Sequence, residues 1–297
     1  MSAPLLIGTH FYQGGPEEMR RQARVMDALA QIEGIAIVDL QWVDQPAKRT
    51  WIRTLPALRQ SSTTVTGHAG RVKPLVREMF DALAAAAERI GSRHFVFFNA
   101  DCLLTNRAIE LLRAGRHQIF MLSRTNVDAA GNDLGIYAKG IDALACDVEW
   151  WRGNRQRFGS YIIGERSWDN VYGAIAMCHG DGVLLNREAL LLHEAHPIVW
   201  GTGPFDVYNR FLTALDFRYF RMWGEYYDRL LDARSRGADE NEERAIAREV
   251  FTWQPSGREA IVQVARSVKA RVRYRRARRV WQSYDPASAS ATSVLQG

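Results

Sequence analysis

The 297-residue sequence lacks long hydrophobic runs and cysteine pairs. No stretch approaches the roughly 18 consecutive apolar residues that a membrane-spanning helix needs. The three cysteines, Cys102, Cys146 and Cys178, form no C-x-x-C pair. A disulfide framework or a zinc site is therefore not expected, and a reducing cytoplasm fits best. The N-terminal MSAPLLIGTHFY has neither a basic n-region nor a small-residue cleavage site, which predicts a first strand rather than a signal peptide.

Two common nucleotide-binding motifs are also missing. No G-x-G-x-x-G follows the first predicted strand, and the Walker A order G-x-x-x-x-G-K-[ST] does not occur. The composition, 47% hydrophobic and 24% charged, is enough for a sizeable core and argues against gross disorder. Much of the net charge of +6 lies in RSVKARVRYRRARR, residues 266–279. Any argument from a basic surface therefore concerns the C-terminus alone.

Short apolar runs alternate with helical segments through the first 125 residues. Thr105 and Gly115 have the residue types of an N-cap and a C-cap. Residues 44–69 and 126–135 are predicted to be irregular. The alternation predicts an α/β fold with a mostly parallel sheet flanked by helices. The predicted strands are 4–11, 34–43, 93–101 and 117–125, and the predicted helices are 16–32, 73–91 and 105–115.

The domain organisation follows from a change in the pattern of apolar and helical segments along the chain. After residue 125 the chain is dense in aromatic residues and glycine, which predicts a lid and pocket built against the first half. We predict one domain over residues 1–225, with halves at about 1–125 and 126–225. A helical, basic C-terminal extension follows over 226–284. The Ala/Ser-rich tail over 285–297 is predicted to be disordered.

The first candidate site residue is Asp101. It follows the apolar run FVFF at the end of a predicted strand. In open α/β sheets, ligands bind beyond the carboxyl ends of the strands. A carboxylate there suits a hard divalent cation. The alternative is that Asp101 caps the helix starting near Thr105 or closes a turn.

Two basic residues precede the same strand. Arg71 and Lys73 lie in GHAGRVKP, just before a predicted helix. Backbone amides at a helix N-terminus, together with Arg and Lys, suit a phosphate or diphosphate. The alternative is an ordinary solvated loop.

Two later segments add further candidates. In YIIGERSWDN, Trp168 is suited to stack on a sugar ring, Asp169 to act as a general base, and Asn170 to bind hydroxyls. The alternative places Asp169 as a helix N-cap and Trp168 in the core. In LLLHEAHPIVWG, His193 and His196 are three residues apart, and either could complete a cation site with Asp101. A structural role for each histidine is the alternative.

Taken in order, these segments resemble the GT-A-type nucleotide-diphospho-sugar glycosyltransferases. GRVKPLVREMFDALAAAAERIGSRHFVFFNADCLLT has the basic loop, helix and strand with a terminal acidic motif that this family shows. A G-x-D, a G-x-x-x-W-D-N and an H-x-x-H stretch follow, as in a bacterial branch of the superfamily. The resemblance covers roughly residues 4–225. It implies a Rossmann-like, nucleotide-binding half and an acceptor-binding half.

The resemblance also implies roles for individual residues. Asp101 would hold a divalent metal, Mn²⁺ or Mg²⁺, that bridges the donor diphosphate, and a late histidine would join it. Asp169 would be the catalytic base or a hydroxyl ligand. The motif departs from the family at Asn99, where an acid is common, and this leaves one carboxylate for the metal. The residues assigned to the donor and cofactor site are Thr9, Arg71, Lys73, Asn99, Ala100, Asp101, Asp142, Trp168 and Asn170, and those assigned to the metal are Asp101, His193 and His196.

The expected function is therefore enzymatic. A glycosyltransferase of this kind moves a sugar from a nucleotide-diphosphate donor to a saccharide or glycolipid acceptor, here in bacterial surface polysaccharide or glycolipid synthesis. Sugar nucleotidyltransferases share the fold, but their Gly-rich, Arg-containing signature is missing after LLIGTHF. The alternative from another class is a non-catalytic sugar- or nucleotide-binding protein that retains the fold.

The basic C-terminal segment over 266–281 has three interpretations. It lies on an anionic membrane surface with Tyr274 and Trp281 at the interface, it binds nucleic acid phosphates, or it is a solvated helix that packs weakly on the domain. The apolar residues Val268, Val272 and Val280 are too few for deep insertion. We expect a cytoplasmic protein, peripheral on the inner membrane face in the first case, and nucleic acid is the least favoured partner.

Overall fold

The computed structural model describes residues 3–44, 52–68, 70, 72–137, 140–196, 203–254 and 256–283. The predicted donor-site residue Arg71 and the predicted tail over 285–297 lie outside these ranges. The strands are β1 (Leu5–Thr9), β2 (Ile35–Trp42), β3 (Arg53–Leu58), β4 (His94–Phe98), β5 (Cys102–Leu104), β6 (Ile119–Leu122), β7 (Thr125–Val127), β8 (Asp133–Ile136), β9 (Ala143–Asp147), β10 (Gly182–Leu185) and β11 (Leu191–Glu194). The helices are α1 (Pro16–Ala30), α2 (Ser62–Thr66), α3 (Val76–Arg89), α4 (Asn106–Ala114), α5 (Val148–Asn154), α6 (Trp168–His179), α7 (Pro204–Leu215), α8 (Phe217–Ser235), α9 (Glu240–Thr252) and α10 (Gly257–Ser283), with a 3₁₀ turn at Arg155–Arg157.

A mostly parallel sheet forms the centre of the described structure. Its seven strands run in the order β10-β6-β9-β4-β1-β2-β3. All neighbours are parallel except β9, which is antiparallel to both β4 and β6. The strands β1, β4, β6 and β9 are buried along their whole length, as expected for a sheet covered by helices on both faces. The predicted α/β class, with its mostly parallel sheet and helical C-terminal region, is confirmed.

The central sheet draws strands from both predicted halves of the domain. β9 and β10 come from residues after 125 and flank β6 on its two sides. The aromatic residues of the second half pack on the sheet face covered by α3. There, the ring of Phe80 lies 5.1 Å from Trp151 and 5.7 Å from Tyr172, measured between centroids. The opposite face is covered mainly by α1 and α4, through residues such as Leu29 and Leu112.

Two segments predicted to be irregular contain regular structure. β3 and α2 lie within 44–69, and the β7–β8 hairpin covers most of 126–135. β3 is an edge strand with Pro56 and mostly exposed or half-buried residues, so it has no continuous apolar signal. The hairpin is short and polar, and Asp128 closes its turn by accepting from the amides of Ala130 and Asn132. Both predictions were wrong because pairing with a neighbouring strand, not hydrophobicity, stabilises these strands.

A second, smaller sheet lies next to the end of β4. Its order is β5-β11-β7-β8. β11 pairs antiparallel with β5 and parallel with β7, so His193 is opposite both Cys102 and Asn126. This sheet brings a late segment of the chain to the residues that directly follow β4.

The basic helix α10 packs along α7. The ring of Tyr274 stacks on Phe211 at 4.5 Å between centroids, and its hydroxyl donates to the carbonyl of Val65 at 3.0 Å. The amide of Gln263 donates to the carbonyls of Ala214 and Leu215. Tyr274 is only 8% exposed, so it does not lie at a membrane interface as one interpretation required. Among the described helices, none combines the length and apolarity needed to cross a bilayer.

Candidate functional site

Asp101 lies in a tight connection between the two sheets. β4 ends at Phe98, and the amide of Asn99 donates to the carbonyl of Asp142 at 2.9 Å, beyond the last β4–β9 pair. The amide of Cys102 then donates back to the carbonyl of Asn99, also at 2.9 Å. The chain therefore turns across Ala100 and Asp101 before it enters β5. The carboxylate is held at the carboxyl end of a central parallel strand, where the α/β crevice rule places ligands.

Two imidazoles meet this carboxylate. Asp101 Oδ2 lies 3.2 Å from His196 Nε2 and 3.5 Å from His193 Nε2. The two Nε2 atoms are 3.1 Å apart. One potential ligand atom from each residue lies within 4.8 Å of the other two, close enough for all three to bind a single metal ion. This trio is the metal set predicted from the sequence, and the structure brings its members together.

The hydrogen bonds around His193 define which of its nitrogens faces the cluster with a lone pair. Asn126 Oδ1 accepts from Arg124 Nε at 3.2 Å, and an arginine Nε–H can only donate. The same oxygen lies 3.0 Å from His193 Nδ1, so Nδ1 must carry the proton and donate. In the neutral ring, Nε2 then presents its lone pair to Asp101 and His196. A second hydrogen bond that fixes the tautomer in this way is the usual arrangement behind a metal-binding histidine.

The electrostatics also suit a cation. Burial of the Asp101 carboxyl opposes its ionisation, but the hydrogen bonds and positive charge that His193 and His196 supply when protonated outweigh this and hold its pKa well below the ordinary value. The carboxylate is therefore ionised at neutral pH. One anionic oxygen and two imidazole nitrogens would suit a divalent transition ion, so of the two predicted metals the residues present fit Mn²⁺ better than Mg²⁺.

Asn99 does not point to this cluster. Its Nδ2 donates to Asp142 Oδ1 at 2.8 Å, and Arg124 Nη1 donates to the same oxygen at 3.0 Å. Asp142 is 5% exposed, and its other oxygen has no hydrogen-bond partner among the described residues. Burial raises the pKa of the Asp142 carboxyl, against the opposing charge of Arg124. A buried carboxylate oxygen without a partner is costly, and it leaves an acceptor position for a polar ligand.

Arg124 and Asn126 are the residues that the sequence analysis missed. Arg124 bonds Asp142 and Asn126, and its guanidinium lies 4.5 Å from the ring centroid of Tyr137. Arg124 lies between β6 and β7 and Asn126 lies in β7, just beyond the carboxyl end of another strand of the central sheet. The signal is the same crevice rule that identifies Asp101, because SRTN at 123–126 also follows an apolar strand of the sheet.

Asp169 lies on the other side of the loop that carries Asp142. It is in the first turn of α6, after Ser167, which has a positive φ of 73°. Its Oδ2 accepts from the amide of Ile141 at 3.2 Å. Burial, with a smaller contribution from the charge of Asp142, raises the pKa of Asp169 to about 6. With its amide nitrogen turned toward Asp169, Asn170 donates at 2.8 and 3.1 Å and accepts from Trp223 Nε1 at 3.2 Å. Asp169 is not the N-cap of the alternative prediction.

Trp168 has the core position of the alternative prediction. It is 4% exposed, and its ring packs edge-on against Phe97 and Tyr172 with centroids 5.7 and 5.8 Å away. Its faces are not open for a sugar ring to stack on. Its contribution is to hold the start of α6, and hence Asp169, against the central sheet.

The other described residues predicted for the donor site, Lys73, Thr9 and Ala100, are engaged elsewhere in the fold and form no side-chain hydrogen bond with the Asp101 cluster. Lys73 Nζ donates to Glu165 Oε1 at 2.7 Å, so a buried carboxylate engages this ammonium. Thr9 is buried at the end of β1, opposite Asp39 of β2, and Ala100 is buried in the turn before Asp101. Within the described ranges, Asp101 contacts His193 and His196, Asn99 donates to Asp142, and no hydrogen bond joins Lys73 or Thr9 to these groups.

Comparisons with known proteins give structural matches alone. No family model matches the sequence, and no curated protein matches it. Among solved structures, S. aureus TarS 1–349 aligns with a TM-score of 0.43 and 11% identity, covering 90% of this chain and 80% of that chain. The mannosyltransferase PcManGT from Pyrobaculum calidifontis, solved with GDP-Man and Mn²⁺, aligns with a TM-score of 0.41 and 11% identity, covering 96% and 89%. Alignments at these scores do not carry a functional assignment.

Proposed function

We propose that this protein is a glycosyltransferase that uses a nucleotide-diphosphate sugar and a divalent metal ion. The observation that carries the proposal is the convergence of Asp101, His193 and His196 at the end of β4. The order of motifs that resembles the GT-A-type transferases and the mostly parallel sheet support it. The acceptor class that we propose is a saccharide or glycolipid, in the synthesis of a bacterial surface polysaccharide or glycolipid.

The cluster meets the main electrostatic demand of such a reaction. The leaving nucleoside diphosphate gains negative charge as the sugar departs, and stabilising that charge is the largest contribution that a site of this kind makes. A divalent ion held by Asp101, His193 and His196 would supply positive charge there. Asp101 provides an oxygen that stays ionised, and Asn126 keeps the His193 lone pair turned inward. Arg71 and Lys73 are proposed to bind the diphosphate as well.

Asp169 is the proposed catalytic base. A carboxylate whose pKa is raised to about 6 is ionised at neutral pH and accepts a proton more readily than an ordinary aspartate. Its partner Ile141 is adjacent to Asp142, whose free oxygen would accept a hydrogen bond from a donor-sugar hydroxyl. The loop at 140–142 therefore connects the proposed sugar position to the proposed base.

One observation favours the second candidate, a non-catalytic sugar- or nucleotide-binding protein. Asn99 replaces the first acid of the motif, and its amide bonds Asp142 instead of facing the cluster. Among the described residues, Asp101 is therefore the one carboxylate left for the metal, which weakens binding to Mg²⁺ in particular.

Release of the nucleoside diphosphate from a panel of sugar nucleotides, with and without Mn²⁺, separates the two functions. A transferase turns over at least one donor, and Asp101→Asn abolishes that turnover. Asp181→Asn is the matched control, because Asp181 pairs with His117 at 3.0 Å on the surface and should leave turnover unchanged. Binding of a sugar nucleotide without turnover under all conditions would support the binding protein and contradict the transferase.

A further inference from the structure

The outer face of α10 combines an apolar stripe with dense positive charge. Ile261, Val264, Val268 and Val272 recur every three or four residues and are 72%, 64%, 55% and 44% exposed. At 3.6 residues per turn they form one stripe. The residues that pack on the protein, including Gln263 and Tyr274, lie on the other side of the helix. The stripe is therefore an outward-facing apolar surface on a helix that is already docked.

Basic side chains flank the C-terminal end of this stripe on both sides and continue beyond it. By helical geometry, one side has Arg271, Arg275 and Arg278, and the other has Lys269, Arg273 and Arg276. All six are exposed, and within the described ranges none forms an ion pair. The acid of the helix, Glu259, is engaged by Arg221 at 3.1 Å. From Ala260 to Ser283 the sequence has no Asp or Glu, so nothing on the helix itself neutralises this charge.

We propose that this face of α10 binds an anionic lipid surface, with the helix lying in the plane of the membrane interface. A helix with an apolar stripe and flanking Lys/Arg is the arrangement that binds in this way. The 27 residues of α10 make it about 40 Å long. The valines would enter the headgroup boundary, while the flanking arginines would reach the anionic headgroups.

The docked face of α10 sets the geometry of this contact. Tyr274 stacks on Phe211, its hydroxyl binds the carbonyl of Val65, and Trp281 packs 6.1 Å from Tyr274 between ring centroids. These aromatic residues therefore attach the helix to the protein and do not insert into lipid. A lipid surface bound by the outer face would be parallel to the helix axis, with α7 on the far side of α10.

Two other occupants fit the charges and the stripe less well. A second copy of this chain would bring two rows of arginines together, which repel one another. A nucleic acid would match the charge but leave the exposed valines without a role. An anionic lipid surface matches both features, and it does not depend on the proposed sugar transfer.

Sedimentation of the full chain with vesicles, without nucleotide or metal, tests the proposal. Wild type should bind vesicles of phosphatidylcholine mixed with phosphatidylglycerol far better than pure phosphatidylcholine. The variant R271Q/R275Q/R278Q should lose about 100-fold in partitioning, because each residue contributes about fivefold, equivalent to about 1 kcal/mol. Its matched control is R53Q/R89Q/R116Q, which removes the same charge from exposed positions elsewhere and should bind like wild type.

The apolar stripe is tested with V264Q/V268Q. These side chains are exposed, so the variant should fold with an unchanged melting temperature. Partitioning should fall about tenfold, because each valine loses roughly half the transfer free energy of a buried aliphatic side chain.

Three results would overturn the proposal. The first is equal vesicle binding by wild type and R271Q/R275Q/R278Q. The second is a dimer in light scattering that V264Q/V268Q dissociates, with vesicle binding unchanged, because the face would then join two copies. The third is salt-sensitive binding of an RNA duplex that requires the arginines while vesicles are not bound.

Discussion

Replacing Asp101 with asparagine tests the metal site most directly, because the change keeps the shape of the side chain and removes the single carboxylate of the cluster. In wild type, Mn²⁺ at about 100 times its dissociation constant should raise the free energy of unfolding by about 2.7 kcal/mol. For a chain of this size, that corresponds to roughly 5–10 °C in melting temperature. Loss of an outer metal-site partner costs about 10- to 100-fold in affinity, and loss of a charged ligand should cost at least as much.

After a 100-fold loss of Mn²⁺ affinity, the same Mn²⁺ concentration stabilises the variant by only about 0.4 kcal/mol, which raises its melting temperature by about 1 °C. Differential scanning fluorimetry with the metal alone measures this without any assumption about substrate. The control is Asp181→Asn, which removes an exposed carboxylate 3.0 Å from His117 and should keep the full shift. If Asp101→Asn showed the same Mn²⁺-dependent rise as wild type, the reasoning about the cluster would be wrong.

Three further predictions concern the same site. Mn²⁺, Co²⁺ and Zn²⁺ should raise the melting temperature more than Mg²⁺ or Ca²⁺, because two of the three ligands are imidazoles; equal shifts in fluorimetry would contradict this. Asp169→Asn should lower kcat for sugar transfer about 100-fold or more, while the Mn²⁺-dependent rise in melting temperature stays unchanged. The wild-type rate should rise as the pH passes about 6, where Asp169 ionises. A flat pH–rate profile would argue against Asp169 as the base. The pKa of Asp169 is higher in the folded than in the unfolded protein, so this residue should lower the wild-type free energy of unfolding as the pH rises from about 4 to 6. Urea unfolding of the asparagine variant should lack that loss. Arg124→Met should destabilise the fold by about 3–5 kcal/mol in urea unfolding, because Asp142 stays buried without its cation. Adding Asp142→Asn to this variant should restore most of the lost stability. A cost of the single variant below about 1 kcal/mol would show that the ion pair is unimportant.

Some of the site was predictable from local sequence. An apolar run that ends in Asn99-Ala100-Asp101 places a carboxylate at a strand terminus, because parallel strands in a covered sheet are continuously apolar. The helix that follows was also predictable from local sequence. Thr105 accepts from the amide of Ala108 as an N-cap, and Gly115 adopts the left-handed conformation of a C-cap. These features depend on residues a few positions apart, so the sequence contains the whole signal.

Other parts of the site depend on contacts between distant segments. His196 is 95 positions from Asp101, and the two meet because β11 pairs with β5 and β7. Local sequence marks both histidines as candidate ligands but does not contain the strand register that brings them to Asp101. The proton position on His193 depends on Asn126, and the network around Asp142 depends on Arg124. Hydrogen bonds of this kind are fixed only when separate strands end side by side.

The chain by itself therefore determined the α/β class, the strand that precedes Asp101 and the basic C-terminal segment, since each follows from periodicity and charge within a short window. The tertiary structure decided the antiparallel insertion of β9, the meeting of His193 with Asp101, the raised pKa of Asp169 and which face of α10 is exposed. The physical reason is common to all four. Sheet register, desolvation and helix docking depend on which distant residues become neighbours, and local sequence does not contain that information.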